Sequence, residues 1–267
     1  MNGAFRGGII ISGASRGLGA ALARRLATPG VTLGLLARGE AGLRDTATVC
    51  AGRGAAVRVA ALDIRDAASV ARTVLDWDAA APSALVIANA GIAAGRRPDG
   101  TAEGVADVAA QVAVNLLGAV NLVGPLLPAM RARRAGRIGL VASVAAFRGL
   151  PDSPGYCASK AGLWAWGEAI RADLLGSGVG VTLVAPGFFN SDMGRAWQGA
   201  RPFSLSAEGA AARIERALRA GRPSCVFPLP LALGLRALSL LPAPLADRAA
   251  GLLRFRIAAP PADQSGS

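Results

Sequence analysis

The sequence predicts an α/β protein built on a doubly wound parallel sheet of about seven strands, with helices on both faces. Three observations carry that prediction. Short runs that are apolar at nearly every position alternate with longer stretches of helical spacing, the pattern of strands buried on both sides of a parallel sheet. The alternation continues along the chain without a break, which calls for right-handed strand–helix–strand crossovers. A glycine cluster follows the first apolar run directly and opens the first helical stretch.

The elements are expected in this order. The run 8–12 (GIIIS) is the first strand, and the glycine cluster then leads into a helix over 17–28. The apolar run 31–37 (VTLGLLA) gives the second strand, followed by a helix over 41–51. Strands at 55–62 and 84–89 flank a helical stretch at 67–80. A long helix from about 102 to 133 precedes the strand 136–143, and another from about 154 to 175 precedes the strand 179–185. A helix over 207–220 and a last short strand near Cys225 complete the sheet. Residues 1–225 are read as one Rossmann-type dinucleotide-binding and catalytic domain and 226–257 as a hydrophobic helical extension. The Ala/Pro/Ser/Gly-rich segment 258–267 is expected to be disordered.

Composition narrows the chemistry. With 267 residues, 52% of them hydrophobic and 17% charged, the chain has ample material for a core and is not a disordered one. The absence of histidine excludes His-based triads and His-ligated metals, and no metal site is expected. Cys50, Cys157 and Cys225 lie far apart with no C-x-x-C spacing, which points to a reducing, cytoplasmic compartment. The N-terminus runs straight into the first strand without the longer apolar stretch of a signal peptide, and no uninterrupted apolar run reaches the ~18 residues of a spanning helix. Of the 29 basic residues only Lys160 is a lysine, and the formal net charge is +12. That charge suits an anionic partner such as a phosphate-bearing ligand, an acidic carrier or a membrane surface. The arginines are scattered and aromatics make up only 4%, so no nucleic-acid surface is read.

Three motifs carry the chemistry. The first is Ser12-Gly13-Ala14-Ser15-Arg16-Gly17-Leu18-Gly19. Its glycines let the backbone turn sharply and let a pyrophosphate approach main-chain N–H groups at a helix N-terminus. The second is Ala37-Arg38 at the end of the second strand, where an acidic residue would hold ribose hydroxyls and an arginine accommodates a 2′-phosphate. With Arg16 in the glycine loop, this pair points to NADP rather than NAD. The third is Ser143 with Tyr156 and Lys160. Tyr156 is the only tyrosine and Lys160 the only lysine, four residues apart and so on one helix face. A nearby ammonium is expected to lower the pKa of the phenol, free value ~10, and make it an acid/base for hydride transfer.

Gly13-x-x-x-Gly17-x-Gly19, Asn89-Ala90-Gly91, Ser143, Tyr156-x-x-x-Lys160 and Pro186-Gly187 stand in order over about residues 7–225. Together they resemble the short-chain dehydrogenase/reductase family in its compact single-domain form. The resemblance implies Tyr156 as catalytic acid/base and Lys160 as holder of the nicotinamide ribose. It implies that Ser143 polarises the substrate oxygen and that Asn115 holds a water in a proton relay to Lys160. It further implies cofactor contacts from Gly13, Ser15, Arg16, Gly17, Leu18, Gly19, Arg38, Asp63 (adenine), Asn89, Ala90 and Gly91. Pro186, Gly187 and Ser191 would form the loop over the nicotinamide. Serine stands at Ser12 and Ser191 where the family usually has threonine, and the hydroxyl is kept.

The expected activity is NADP(H)-dependent interconversion of a ketone and a secondary alcohol on a largely apolar substrate. The alternatives are a 3-oxoacyl-thioester reductase and a non-catalytic NADP-sensing protein. Phe188, Phe189, Met193, Trp197, Phe203, Val144, Phe147 and Leu150 either line an apolar pocket or pack the core. Arg131, Arg133 and Arg134 either dock an acidic acyl carrier or end a helix, where cations are favoured anyway. A homo-oligomer, dimer or tetramer, is expected. In the extension, prolines divide two short helices, with Leu231, Leu235 and Leu238 on one face of the first and Leu245, Ala249 and Leu252 on one face of the second. Too short to span a bilayer, the extension either packs on its own domain or a partner subunit, or lies peripherally on an anionic membrane.

Overall fold

The computed structural model describes residues 5–189, 197–199, 203–252 and 256–257. The first half runs β1 (Gly7–Ser12), α1 (Gly17–Leu26), β2 (Val31–Ala37), α2 (Glu40–Ala51), β3 (Ala56–Ala61), α3 (Ala67–Ala80), β4 (Ser83–Ala88) and α4 (Val105–Ala132). The second runs β5 (Gly136–Val141), α5 (Pro154–Asp173), β6 (Val179–Pro186), β7 (Trp197–Gln198), α6 (Ala207–Arg219), β8 (Ser224–Phe227), α7 (Leu229–Leu238), α8 (Ala243–Ala250) and β9 (Arg256–Ile257). Seven strands form one parallel sheet in the order β3-β2-β1-β4-β5-β6-β8. The chain order reverses between β1 and β4, and a crevice opens at the strand C-terminal ends of such a switch point.

The apolar strands divide their side chains between two cores. Ile9 and Ile11 of β1, with Leu33, Leu35, Leu85 and Ile87, pack under α1, α2 and α6. Ile10, with Leu36, Val86, Ile138 and Leu140, packs on the other face under α3, α4 and α5. Period-two alternation in a strand buried on both sides gives this division. β3 departs from the expectation of burial on both faces: it is an edge strand, and Arg58, Val59 and Ala61 are exposed. Having only one neighbouring strand, it carries an arginine and small residues where the central strands carry Ile and Leu.

The expected long helix exists but is not regular. Within α4, Ala113–Leu117 is a π-helical turn and Gly124–Leu126 a 3₁₀ turn, the latter at Pro125. α4 is long and apolar enough by composition to cross a membrane, yet it packs against α3 and α5. The arginines considered either for carrier docking or as helix-end cations each have a partner within the chain. Arg133 donates to both carboxylate oxygens of Asp78, at 2.8 and 3.0 Å, and to the Ser83 carbonyl at 2.9 Å. Arg131 pairs with Asp173, and Arg134 donates to the Gly176 carbonyl.

The extension forms the two expected helices. Leu235 is buried and Leu231 and Leu238 are half-buried, so that face of α7 turns inward. One feature was not legible in the sequence. β9 pairs antiparallel with β7, and the Ile257 N–H donates to the Arg96 carbonyl at 2.9 Å. The segment 258–267 lies outside the described residues.

Candidate active site

The crevice is built first by backbone. The Ser12 hydroxyl at the end of β1 accepts hydrogen bonds from the N–H groups of both Asn89 and Ala90, each at 3.1 Å. The Asn89 amide donates back to the carbonyls of Ser12 and Gly13. These bonds tie the ends of β1 and β4 together at the switch point. Gly13 turns the chain at φ +66°. A side chain on Gly19 would lie 2.1 Å from the Gly13 carbonyl, so only glycine lets α1 start this close to the loop. Leu18 is buried and anchors the helix start, while Ser15 and Arg16 stand at the rim. The first turn of α2 abuts Ser15 at Gly42.

Arg38 is exposed just after β2. Asp63 lies near it, and its carboxylate is gripped by Arg65 at 2.6 Å. The hydrogen-bonded Arg65 side chain holds the Asp63 carboxyl below its ordinary range against the cost of burial, and the charge of Arg38 adds to the effect.

The catalytic candidates converge from α4, β5 and α5. Asn115, in the π-helical turn, accepts from the Ile92 N–H at 2.8 Å and donates to the Ile92 carbonyl and to the Ser159 hydroxyl, both at 2.9 Å. Lys160 is buried, and its Nζ donates to the Val141 carbonyl at 2.9 Å. The space above Gly91 separates these two groups: a Cβ there would sit 3.1 Å from Asn115 Oδ1 and 3.3 Å from Lys160 Nζ. The Ser143 hydroxyl accepts from the Ala145 N–H and is oriented toward the Pro186 carbonyl at 3.5 Å. Tyr156 is partly exposed, with its ring centroid 5.9 Å from Lys160 Nζ.

The electrostatics correct one expectation. Burial pushes the Tyr156 phenol up to about 12, and its hydrogen bond with Ser143 offsets this only in part. Burial likewise brings the Lys160 ammonium down to about 8. The ammonium's hydrogen bond goes to the Val141 carbonyl, and burial is the largest cause of both shifts. The free protein therefore holds Tyr156 as a protonated donor at neutral pH.

Other assignments resolve more simply. Pro186 ends β6, and the Gly187 N–H donates to the Phe227 carbonyl at 2.7 Å. Ser191 and Met193 lie outside the described residues. Phe147 stacks edge-on against Trp164 with ring centroids 4.9 Å apart, and Val144 and Leu150 pack in the same core. Phe189 packs against the opposite core, while Phe203 is exposed. A cavity of about 460 Å³ is lined by Leu150, Pro154, Cys157, Ala158 and Ala161 together with Asp247 of α8. At 100° per residue those α5 positions face away from Tyr156 and Lys160, so this cavity is not the catalytic crevice.

Several supporting residues were not singled out by sequence. Glu103 accepts from the Gly155 N–H at 2.8 Å and from Gln111, and Gln111 accepts from the Ala94 N–H at 2.9 Å. Buried Asp152 pairs with Arg96 at 2.9 Å. These bonds fasten the loop after β4 to the start of the helix carrying Tyr156. Gln111 and Ser159 had one available signal: Gln111 precedes Asn115 by one helical turn and Ser159 adjoins Lys160.

These residues fit a nicotinamide dinucleotide. The loop admits no Cβ at Gly19, Gly91 leaves its backbone bare between Asn115 and Lys160 where a Cβ would be crowded, and a buried ammonium stands beside it, the features a dinucleotide needs at the switch point. Comparisons with known proteins agree at the level of the family. A family model described as short chain dehydrogenase matches residues 8–201. An uncharacterized oxidoreductase of Myxococcus xanthus is 34% identical over 250 residues, covering 92% of this chain and 96% of that one. The ketoacyl reductase HetN of a Nostoc species is 35% identical over 67% of this chain and 62% of its own length. Sulfoacetaldehyde reductase 2 of Chromohalobacter salexigens is 35% identical over 69% and 73%. Among solved structures, LigD in its apo form from a Sphingobium species superposes with a TM-score of 0.74 at 23% identity, covering 86% of this chain and 93% of that one. A short chain dehydrogenase of Mycobacterium paratuberculosis bound to NAD superposes with a TM-score of 0.73 at 23% identity, covering 84% and 97%. With its sheet order, its crevice and matches over most of its length in agreement, the chain belongs to the short-chain dehydrogenase/reductase family of nicotinamide-dependent oxidoreductases.

Proposed function

We propose that the protein is an NADP(H)-dependent reductase that interconverts a ketone and a secondary alcohol on a largely apolar substrate. The observation that carries this reading is the convergence of Tyr156, Ser143, Lys160 and Asn115 on one crevice, with the phenol available as a proton donor. A bound nicotinamide supplies the hydride in reduction. Gly13, Ser15, Gly17, Leu18, Gly19, Asn89, Ala90 and Gly91 would hold the dinucleotide, with Pro186, Gly187 and Ser191 over its reactive end. Tyr156 gives its proton to the carbonyl oxygen, which Ser143 steadies through a hydrogen bond. The Lys160 ammonium favours the phenolate left behind once the substrate oxygen has taken the proton. Asn115, bonded to Ile92 and Ser159, fixes the floor beside Lys160.

Support for NADP comes from the end of β2. Ala37 carries no carboxylate to hold ribose hydroxyls or repel a phosphate, and Arg38 after β2 and Arg16 in the glycine loop are both exposed, as a 2′-phosphate site would need. The nearby acid, Asp63, is neutralised by Arg65. The kinship with a protein named ketoacyl reductase favours a second reading, a 3-oxoacyl thioester as substrate. The reading includes a reducing, cytoplasmic setting, with three free thiols, and a homo-oligomeric state to be measured by light scattering.

Two variants test the proposal. Arg38→Ala should weaken NADPH by ~1–3 kcal/mol while barely changing NADH, the loss expected of a charge-assisted hydrogen bond. Fluorescence titration with both nucleotides measures this, and equal losses would remove Arg38 as the phosphate reader. Tyr156→Phe keeps the ring and removes the proton, so NADPH oxidation should fall at least ~10²-fold with nucleotide binding retained. The assay uses ketones of graded size with one 3-oxoacyl thioester, and normal turnover in this variant sinks the mechanism.

A further inference from the structure

The extension turns one leucine face of α7 inward and leaves a second set of leucines exposed. Ala232 of α7 and Ala246 and Ala250 of α8 are at most 3% exposed. Leu229 and Leu233 of α7, Leu240 just after it, Leu245 of α8 and Leu252 just after that are all exposed, Leu240 by 86% and Leu252 by 84%. At 100° per residue, Leu229, Leu233, Arg236 and Leu240 share one stripe, opposite the half-buried Leu231 and Leu238. Leu245, Arg248 and Leu252 share one stripe of α8, turned from Ala246 and Ala250. A helix docked on a domain normally hides its leucines and shows its polar residues. α7 turns Leu231, Leu235 and Leu238 inward yet carries a second leucine stripe outward, and α8 buries only alanines and turns Leu245 outward, so two consecutive helices present one exposed apolar face.

Charge decides which partner. Both ionisable residues on these stripes are arginines. The one acid between Leu229 and Leu252 is Asp247, which lies off the stripe and is bonded to Arg148 at 2.6 Å. Arg236 is exposed, with its guanidinium carbon 4.2 Å from the Phe147 ring centroid and 5.8 Å from that of Trp164. A second copy meeting this face about a two-fold axis would bring arginine stripes of a +12 chain against one another, a like-charge juxtaposition. Helices of ten and eight residues cannot cross a bilayer core, which takes about 20.

We propose that this face docks peripherally on an anionic lipid bilayer. The leucines enter the boundary between headgroups and acyl chains, and Arg236 and Arg248 meet lipid phosphates. The proposal is independent of the cofactor and substrate readings, since none of these residues belongs to the crevice.

Co-sedimentation of the full chain with vesicles of phosphatidylglycerol and phosphatidylcholine, beside vesicles of phosphatidylcholine alone, tests it. Binding should be at least ~10-fold stronger to the anionic vesicles and should weaken as salt is raised. The triple variant Leu233→Ser, Leu240→Ser, Leu245→Ser should lose at least ~10-fold of that binding, and Arg248→Glu alone should lose part of it. All four side chains are exposed, so thermal melting should show the fold intact. Wild-type protein that ignores anionic vesicles, or binds both kinds equally, overturns the proposal. So does a triple variant that binds as well as wild type. A mass in solution that halves in the triple variant would instead assign the face to a second copy.

Discussion

Lys160 shows what the crevice asks of a single side chain. It is a buried ammonium whose bond is to a backbone carbonyl, with desolvation lowering its pKa from the ordinary 10.5 to about 8. Between those pH values the unfolded chain holds more protons at this site than the folded one, so this residue makes stability rise as pH climbs through the window. Below about pH 8 the charged form is held at a cost to the folded state. Lys160→Met should therefore abolish turnover yet raise stability near pH 7 by about 1–3 kcal/mol. It should also remove the rising slope between pH 8 and 10.5, read as the difference from wild type in urea melts. A variant less stable than wild type at pH 7 would show that the ammonium is a net support of the fold. Tyr156 carries the opposite sign: its raised value makes stability fall as pH passes from 10 toward 12.

At the scale of elements, the crevice depends on ties between helices and strand ends far from the chemistry. Asp78, near the end of α3, accepts from the Ser83 N–H at 2.8 Å and from two nitrogens of Arg133, which follows α4. Burial works against the charged carboxylate, but the Arg133 guanidinium and the Ser83 N–H outweigh it and hold the carboxyl below its ordinary value of 3.8. With the folded value depressed, the tie is fully present above about pH 4 and is lost as pH falls through the folded value. Asp78→Asn should cost about 2–4 kcal/mol at pH 7, because it leaves Arg133 half-buried without its counter-charge. The loss should shrink toward pH 3, and denaturant melts at pH 7, 5 and 3 check both statements. An equal loss at all three would mean that shape rather than charge holds the two helices. The helix and strand extents themselves were largely legible: β2 spans Val31–Ala37 and α3 spans Ala67–Ala80, as the apolar spacing predicts. The interruptions of α4 were not, because its apolar spacing is the same through the π-helical turn at Asn115 as on either side.

Over the whole molecule, sequence alone determined the sheet and most of the crevice. Runs apolar at nearly every position are satisfied best between two helical layers, and glycines between a strand and a helix leave little but a close backbone approach to explain them. A lone tyrosine and a lone lysine one helical turn apart marked the candidate acid/base pair on one helix face. Tertiary structure alone decided the rest. It made β3 an exposed edge, drew Arg133 into Asp78, and set Phe147 against Trp164 and Arg236 instead of in a pocket. It also paired β9 with β7 and left Leu229 and Leu233 of α7 and Leu245 of α8 facing outward. It reversed the expected shift of Tyr156, since a pKa depends on how much water surrounds the group and where its neighbours point. The division has one physical reason. Periodicity and backbone conformation are local properties, written into neighbouring residues, whereas burial, charge pairing and desolvation are set by residues 50 or more positions away that only the folded chain brings into contact.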